Sequence, residues 1–366
     1  MPSPSDPELQ LAALGRGERM TAAEVCSLTE GVLAGTVDLE AFGRWLVALT
    51  EAGETAAEIA GVAAALRGRM LPLEAGLPAG MVVADTCGTG GDGSGSFNIS
   101  TAAAIVVAAA GQPVAKHGNR AVSSRTGSAD VLAALGVKTD APVATAARCL
   151  RELGLCFCLA PTHHPAMAKV GPLRKSLGRP TVFNLVGPLC NPAGAAVQVI
   201  GVGRPAAREP IAEAARLLGA SRTLVVSGFL ADADGAIAPK PFDELSLFGP
   251  TEVIDVSPAG VARYRWTPEA FGLAALPPAR LADLEVAGPE ESAAAIRGVL
   301  AGEAGPRRDV VVLNAAAVLV AAGKGEPVTA RGLAEQAIDS GRAADLLARW
   351  AKLSKAKGDA ALFHHP

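Results

Sequence analysis

Aromatic side chains are scarce in this sequence: Phe, Trp and Tyr make up 4% of its 366 residues, with a single tyrosine. Half of the residues are nonetheless hydrophobic, so a sizeable core must be built largely from Ala, Val, Leu and Ile. Such side chains let helices pack closely onto a sheet, which favours an α/β fold over an all-β sandwich. The length fits one large domain or two ordinary ones.

An excess of charge is also lacking, since 33 basic and 36 acidic side chains leave a net charge of −3. A surface for nucleic acid or an anionic membrane would need a basic excess. The N-terminal stretch MPSPSDPELQ has neither the basic start nor the apolar centre of a signal peptide. The longest apolar runs, Ala102–Gly111 and Ala315–Gly323, have about half the length of a membrane span. We therefore expect a cytoplasmic protein that binds neither nucleic acid nor membranes.

Spacings typical of disulfides or zinc ligands are missing as well. The six cysteines include no CxxC pair, and in a long chain without an export signal we expect reduced thiols. None of the five histidines has zinc-ligand spacing with a cysteine or an acid. The sequence therefore predicts neither a disulfide framework nor a zinc site.

The first part of the chain, over about 8–74, has the pattern of helices throughout. Its apolar residues recur at spacings of three and four, as on one face of a helix. Thr21 with Glu24, and Thr55 with Glu58, have the spacing of capping boxes at helix starts. These patterns predict a small helical domain.

From Met81 onwards, short β-branched runs alternate with Ala-rich helical runs, which predicts a mostly parallel sheet with right-handed crossovers. The segment 163–192 interrupts this alternation with one predicted helix, HPAMAKVGPLRKSLG, and a turn-rich run. We expect it to rejoin the helical domain, with the cleft between the two domains. The fold class is thus α/β, a small N-terminal helical domain plus a large domain with a mostly parallel central sheet flanked by helices. The predicted boundaries are 1–78 joined by about 163–192, then 79–162 with 193–350, and a loose C-terminal tail at 351–366.

Two loops rich in glycine, serine and asparagine lie between Asp85 and Gly136, and each precedes an Ala-rich helical run. Two helix N-termini would therefore meet at one edge of the sheet, a geometry suited to a phosphorylated anion. Lys116 is the closing residue of a predicted strand, so its position should be fixed, unlike that of a solvated surface lysine. The stretch predicts a phosphate-binding site.

The first loop is the glycine-rich run GTGGDG at 88–93. Glycines allow positive φ and let backbone amides approach a ligand, although such a run can also be a flexible surface loop. It matches neither GxGxxG nor the GxxxxGK[ST] phosphate loop. Asp92 would repel a phosphate, which favours a ribose hydroxyl or a metal-bound water as its partner.

Asn98, Ser100 and Thr101 open the helix that follows this loop. One such residue suffices for helix capping, so the additional hydroxyls could bind a phosphate at the positive helix end. Asn119 can donate to and accept from a substrate edge.

Arg174 could hold a carboxylate by its two-pronged guanidinium, or could be an ordinary surface arginine. The adjacent Asp243 and Glu244 could bind Mg²⁺ together with substrate phosphates, or could be a solvated pair in a loop.

Taken together, these segments resemble the anthranilate phosphoribosyltransferase family, within the nucleoside phosphorylase class II-like phosphoribosyltransferases. The matching motifs are GTGGDG at 88–93, SFNIST at 96–101, KHGNRAVSS at 116–124, GSAD at 127–130, PLR at 172–174, FNLVGPLCNP at 183–192 and DE at 243–244.

The resemblance implies a reaction as well as the two-domain fold. The amine of anthranilate attacks the anomeric carbon of phosphoribosyl pyrophosphate (PRPP) and expels pyrophosphate, a step of tryptophan biosynthesis. It further implies two Mg²⁺ ions bound with PRPP and a homodimer formed through the helical domain. We assign no acid or base residue from the sequence, and we expect Lys116, Asn119 and Arg174 to act by positioning.

The resemblance also assigns site residues. Those implied for PRPP are Gly88, Gly91, Asp92, Ser96, Asn98, Ile99, Ser100, Thr101, Lys116, His117, Gly118, Asn119, Arg120, Ala121, Val122, Ser123, Ser124 and Ser128. Those implied for anthranilate are Gly88, His117, Asn119, Arg174, Gly187 and Pro188. Those implied for the metal are Ser100, Asp243 and Glu244.

The loop before the metal pair departs from the family pattern, because FLADADGAIAPKPFDEL is longer and contains Asp232 and Asp234 as competing acids. A same-fold transferase for another aromatic substrate therefore remains an alternative. A pyrimidine nucleoside phosphorylase is a second, but the GTGGD and FNIST elements and the carboxylate pair suit a pyrophosphate leaving group better. A third is a nucleic-acid-binding relative without catalysis, which the net charge of −3 opposes.

Overall fold

The computed structural model describes residues 6–74, 76–78, 80–121, 125–231 and 241–356. Three residues of the predicted site, Val122, Ser123 and Ser124, lie outside the described residues. So do the competing acids Asp232 and Asp234.

Four helices form the N-terminal part. Both predicted capping boxes are confirmed, since Thr21 and Thr55 each accept a hydrogen bond from the amide of the glutamate three residues on. Glu24 and Glu58 in turn accept from the amides of those threonines, at 2.8 Å in each case. The helices are α1 Pro7–Gly15, α2 Ala22–Ala34, α3 Leu39–Ala52 and α4 Ala56–Arg69.

A seven-stranded sheet forms the centre of the molecule, in the order β3-β2-β1-β4-β5-β6-β7. The first five strands in this order are parallel, which confirms the predicted fold class. The last two form an antiparallel hairpin that the sequence analysis did not predict. The strands are β1 Ala84–Gly88, β2 Val114–Gly118, β3 Leu155–Leu159, β4 Val197–Gly201, β5 Arg222–Gly228, β6 Thr251–Ser257 and β7 Gly260–Trp266.

Helices cover the sheet, and none in the described part of the chain is both long enough and apolar enough to cross a bilayer. The last helix continues to Leu353, so residues 351–353 are helical and do not belong to the predicted tail. The cause is packing, because Trp350 is buried and Ser354 accepts the Lys138 amide at 2.9 Å. The longer helices here are α5 Ile99–Ala109, α6 Ser128–Ala134, α7 Val143–Leu153, α11 Pro205–Leu217, α12 Pro289–Leu300, α13 Pro306–Ala321, α14 Pro327–Asp339 and α15 Arg342–Leu353.

The segment 163–192 lies against the N-terminal helices. Phe42 of α3 stacks on Trp45 and meets the ring of Phe183 edge-on, with centroids 6.3 Å apart. The single helix predicted here is wrong, because Pro165 and the Gly171–Pro172 step divide it into a short 3₁₀ turn and a separate helix. The pieces are α8 Ala160–His163, a 3₁₀ turn Pro165–Lys169, α9 Gly171–Leu177, α10 Phe183–Val186 and a 3₁₀ turn Gly187–Cys190.

The core consists of two hydrophobic clusters on opposite faces of the sheet. Alternate residues of one strand belong to different clusters: Val225 to the cluster with the N-terminal helices, Leu224 and Val226 to the cluster with α5 and α13. The N-terminal helices therefore cover one face of the same sheet.

The chain reverses across the sheet between β1 and β4: the strands that follow β1 in the sequence lie first on one side of it, beginning with β2, and then on the other, beginning with β4. In open α/β sheets the crevice at the carboxyl ends of such strands is the usual ligand site. Four of the parallel strands end in glycine at this edge, at Gly88, Gly118, Gly201 and Gly228. The phosphate-binding loops predicted from the sequence start from two of them.

Candidate active site

Asp243 lies directly over the carboxyl ends of β1 and β4. A Cβ on Gly201 would overlap the Asp243 carbonyl oxygen, and one on Gly88 would overlap its carboxylate. Only glycine at both strand ends allows the backbone of Asp243 to come this close. Gly201 was missed by the sequence analysis, although a glycine at the end of VQVIG, like the one at the end of β1, was an available signal.

Three carboxylates converge above these strand ends. The Asp243 carboxylate accepts the Gly90 amide at 2.8 Å, and Asp92 accepts the Asp243 amide at 3.4 Å. Burial, and then the charges of Asp92 and Glu244, raise the pKa of Asp243 well above its ordinary value. Burial also raises the pKa of Glu244 to about 7, although Lys116 opposes the rise. Repulsion of this kind is what a bound divalent cation would relieve.

The carboxylates of Asp243 and Glu244 fit a magnesium ion that is also coordinated by a bound ligand. Mg²⁺ usually takes one or two protein carboxylates and completes its octahedron with water and substrate phosphates. Within the described ranges, no group of three His, Cys, Asp or Glu side chains is arranged to hold a metal by itself. The carboxylates of Asp243 and Glu244 therefore suit a metal whose remaining ligands come from a bound phosphate compound.

The glycine-rich loop leads from β1 past these carboxylates. Gly90 and Gly91 have φ of 71° and 79°, in the left-handed region that favours glycine. Asp92 turns the loop by accepting hydrogen bonds from the amide and the hydroxyl of Ser94, both at 3.0 Å. The Ser94 hydroxyl also lies 3.1 Å from that of Ser96. Ser94 adds a hydroxyl that the sequence analysis did not assign.

The N-terminus of α5 faces the same space. Asn98 is its N-cap residue by position, but its side chain makes no capping hydrogen bond. Instead the Glu244 carboxylate accepts the Ser100 amide at 3.1 Å. The hydroxyl of Thr101 is buried without a hydrogen-bond partner among the described residues. Ile99 packs its side chain into the core, so a ligand contact there would involve only its backbone.

Lys116 connects the strand edge to this helix start. It lies in the middle of β2 and is 2% exposed. Its ammonium donates to the Thr86 carbonyl at 2.7 Å and to the Ser100 hydroxyl at 3.1 Å. A buried ammonium held in this way is a fixed positive charge beside Glu244, unlike a solvated lysine.

His117 is a buried, neutral imidazole. Burial, and next the neighbouring His164, lower its pKa to about 3. Its Nδ1 lies 3.1 Å from the Gly187 carbonyl, which assigns the ring proton to Nδ1. Nε2 is then a bare acceptor, and it has no partner within the described part of the chain. Such a low pKa makes His117 a weak base near neutral pH.

The second loop is organised by Asp130, the last residue of GSAD. Its carboxylate accepts the Ala121 amide at 2.8 Å and lies 3.4 Å from the Arg120 guanidinium. Asn119 is exposed, and its backbone carbonyl accepts the Ser128 hydroxyl at 3.3 Å. Because a Cβ on Gly118 would overlap that hydroxyl, the glycine at the end of β2 is also needed for close packing.

Arg174 is half-buried in α9, and its guanidinium carbon lies 5.5 Å from the centre of the Phe183 ring. Burial lowers its pKa. Among the ion pairs of the described residues, none uses Arg174, so its guanidinium is available to an added carboxylate. Phe183, which Arg174 contacts, is followed shortly by Gly187, which His117 contacts, and by the buried Pro188. Arg174 and His117 therefore contact the same segment of the chain. No hydrogen bond within the described ranges joins Arg174 to Asn119 or Lys116.

Two supporting residues come from distant parts of the chain. Ser292 of α12 hydrogen-bonds to Asn98, 194 residues away. Asn314 of α13 accepts the Leu245 amide at 2.9 Å and donates to its carbonyl at 3.2 Å, beside the acidic pair. No local pattern marks either residue, because its role depends on which helix packs against which loop.

Two family models match this chain. The glycosyl transferase family, a/b domain, matches residues 80–344, and the glycosyl transferase family, helical bundle domain, matches residues 10–70. The anthranilate phosphoribosyltransferase of Erythrobacter litoralis is 46% identical over 324 residues, or 88% of this chain and 93% of that protein. The enzyme of the same name from Rhodospirillum rubrum is 46% identical over 340 residues, or 93% of each chain.

Two solved structures are also similar to this chain. The crystal structure of anthranilate phosphoribosyltransferase from Thermus thermophilus has a TM-score of 0.83 and 43% identity, covering 95% of this chain and 99% of that one. That of the Saccharomyces cerevisiae enzyme in complex with PRPP and Mg has a TM-score of 0.81 and 26% identity, covering 96% and 99%. The chain therefore belongs to the anthranilate phosphoribosyltransferase family.

Proposed function

We propose that this protein transfers the phosphoribosyl group of PRPP to the amine of anthranilate, giving N-(5-phosphoribosyl)anthranilate and pyrophosphate in tryptophan biosynthesis. The proposal rests on one observation. At the point between β1 and β4 where the chain reverses across the sheet, the structure brings together Asp243, Glu244, Lys116 and the start of α5. A polyanion with a metal ion is the ligand that such a mixture of charges suits. Family membership supplies the identity of the two substrates.

PRPP would lie across the carboxyl ends of β1 and β2. The backbone amides near Gly91 and the free hydroxyl of Thr101 would bind phosphate oxygens, and Asp92 would hold a ribose hydroxyl or a metal-bound water. The Ser96 and Ser128 hydroxyls and the loop from Lys116 to Ala121 would complete the envelope. Burial of Lys116 supports this arrangement, since a fixed charge interacts more strongly than a solvated one.

Asp243 and Glu244, with Ser100 beside them, would hold Mg²⁺, and we propose two ions. When bound, Mg²⁺ supplies positive charge that stabilises the departing pyrophosphate. The chain's own contribution is to hold the two carboxylates in place and to keep Lys116 beside them. The structure of the Saccharomyces cerevisiae enzyme with PRPP and Mg supports magnesium as the metal.

Anthranilate would lie between Arg174, Asn119 and the segment of Gly187 and Pro188. The Arg174 guanidinium matches a carboxylate in shape and charge, and its position over Phe183 orients it. His117 would line this space as a neutral ring. A 4-fluoroanthranilate complex of the Saccharomyces cerevisiae enzyme supports a site for this class of compound.

Catalysis would come from positioning and electrostatics. Loss of pyrophosphate leaves an oxocarbenium-like sugar, and an amine held behind the anomeric carbon captures it. We assign no general base, because the pKa of His117 is about 3. The proton of the attacking amine would pass to solvent.

We further propose that the protein is cytoplasmic and forms a homodimer through its N-terminal helices. Leu9 of α1 and Leu39 of α3 are 40% and 39% exposed, which leaves apolar surface there for a second copy to cover. A mass in solution equal to one chain of 36.7 kDa would contradict the dimer.

The decisive experiment is to mix the protein with anthranilate, PRPP and Mg²⁺ and to follow anthranilate fluorescence. We expect fluorescence to fall with PRPP-dependent turnover. Lys116→Met should lower kcat/KM by about a hundredfold or more, because it removes a fixed charge near the leaving group. Lys138→Met, at an exposed lysine of the same domain, is the matched control and should behave like the wild type.

Two other assays separate the alternatives. Release of uracil from uridine and phosphate, with anthranilate untouched, would replace the proposal with a nucleoside phosphorylase. PRPP consumption with another aromatic amine, but not with anthranilate, would move the activity to a different substrate.

A further inference from the structure

Asn98 faces away from the helix end that it would ordinarily cap. Its carboxamide oxygen accepts a hydrogen bond from the Ser292 hydroxyl at 2.9 Å and another from the Thr126 hydroxyl. The Ser100 amide, which an N-cap side chain could otherwise bind, is taken by Glu244. Asn98 has therefore been freed from capping, and its orientation is set from outside α5.

Ser292 makes two hydrogen bonds to this one residue. Its hydroxyl oxygen accepts the Asn98 backbone amide at 3.0 Å, and its proton points to the Asn98 carboxamide oxygen. Ser292 is 0% exposed, so water does not compete for either bond. With two hydroxyls on its oxygen, the carboxamide of Asn98 turns its NH₂ group the other way.

The segment just before α12, the helix that carries Ser292, is hydrogen-bonded to the segment just before Asn98. The Phe97 amide donates to the Leu284 carbonyl at 2.9 Å, and the Val286 amide donates to the Gly95 carbonyl at 3.0 Å. These bonds cross from the residues just before Asn98 to the residues just before α12. Ser292 is thus held at a fixed position relative to Asn98 by neighbouring backbone contacts.

We propose that Ser292 is a positioning residue for PRPP: it holds the Asn98 carboxamide with its NH₂ group directed to the bound phosphoribosyl group. This inference rests on the proposed function, in which Asn98 contacts PRPP. Among the described residues, no hydrogen bond uses the Asn98 NH₂ group, so a ligand oxygen can accept it. Ser292 itself would not touch the substrate.

The test is the kinetics of Ser292→Ala. We expect KM for PRPP to rise about five- to tenfold, as for loss of one hydrogen bond that orients a binding group. The value of kcat and KM for anthranilate should stay within about twofold. Ser292→Cys keeps the shape of the side chain but has a slightly larger and weaker donor, so it should shift KM for PRPP in the same direction and by less.

Ser354→Ala is the matched control. Ser354 is also a buried serine whose hydroxyl accepts one backbone amide, that of Lys138 at 2.9 Å, but it lies directly after the last helix. It should lower the melting temperature without changing KM for PRPP. If Ser292→Ala behaves like Ser354→Ala, Ser292 has only a structural role and the inference is wrong.

Asn98→Ala provides the second check. If Ser292 acts through Asn98, Ser292→Ala should add less than about twofold in the Asn98→Ala background. A full additional effect in that background would contradict the inference. An inactive wild-type protein would instead overturn the proposed function, so the two failures are distinguishable.

Discussion

Glu244 lies where an anion is most favoured at the start of α5, since its carboxylate accepts the Ser100 amide. The same residue is proposed to hold the metal, and Lys116 reaches the Ser100 hydroxyl beside it. One carboxylate therefore links the helix end, the lysine and the proposed metal site. Replacing Glu244 by an uncharged side chain of the same shape should weaken metal binding more than it destabilises the fold.

Glu244→Gln should raise the Mg²⁺ concentration for half-maximal activity by at least about tenfold, because a neutral amide oxygen binds a hard cation weakly. The measurement is the initial rate against Mg²⁺ at saturating PRPP. Glu24→Gln is the matched control, since Glu24 also accepts a backbone amide at a helix start, in α2. A rise with Asp234→Asn, and none with Glu244→Gln, would instead place the metal in the longer loop.

Single residues were predictable where a short motif carries the chemistry. Lys116, Asp243 and Glu244 stood in recognisable runs, and the structure brings them together at one edge of the sheet. Ser292 was not predictable, because its partner is 194 residues away and a lone serine in a helix has no signature. Ile99 matched a motif, but the helix turns its side chain into the core.

At the scale of elements, the segment from Phe242 to Ser246 is held across the ends of β4 and β5. The Gly228 amide donates to the Phe242 carbonyl at 2.9 Å, and Asn314 binds both backbone groups of Leu245. The position of the acidic pair therefore depends on how closely this segment can approach the strand ends.

Gly201→Ala should displace that segment, because the new methyl would overlap the Asp243 carbonyl oxygen. We expect activity to fall at least about tenfold and stability to fall by about 1–3 kcal/mol, the usual cost of overpacking. The measurements are kcat/KM and urea unfolding.

Gly332→Ala is the control, because its Cβ would meet nothing within 4 Å on an exposed face of α14. It should be neutral or slightly stabilising. Full activity in Gly201→Ala would show that the strand end does not position Asp243.

Periodicity predicted most of the elements, because strands and helices repeat their apolar residues at different intervals. It did not show that the run from His164 is a 3₁₀ turn followed by a separate helix, which begins at the Gly171–Pro172 step. It also gave no orientation for β6 and β7, whose antiparallel pairing depends on a tight connection and not on side-chain pattern.

At the scale of the whole molecule, the N-terminal helices and one face of the sheet pack into the same hydrophobic cluster. Trp45, Phe183, Ile211 and Val225 belong to a single buried cluster, although they come from α3, α10, α11 and β5. Arg67 of α4 also donates to the Leu189 carbonyl at 2.6 Å and to the Leu218 carbonyl at 3.3 Å. A chain of this length could have divided into independently stable domains, but here the boundary is itself a packed core.

The two parts should therefore unfold together in urea. Trp45 lies in the shared cluster, whereas Trp266 and Trp350 lie on the other side of the sheet, so their fluorescence reports on different regions. Trp45→Phe isolates the second signal, and the double variant Trp266→Phe with Trp350→Phe isolates the first. Once each variant's own stability is corrected for by far-ultraviolet circular dichroism, both signals should follow the loss of helix with one midpoint. A separate, earlier transition of Trp45 would mean that the N-terminal helices detach from the sheet as an independent unit, and the shared cluster would then contribute little to holding the two parts together.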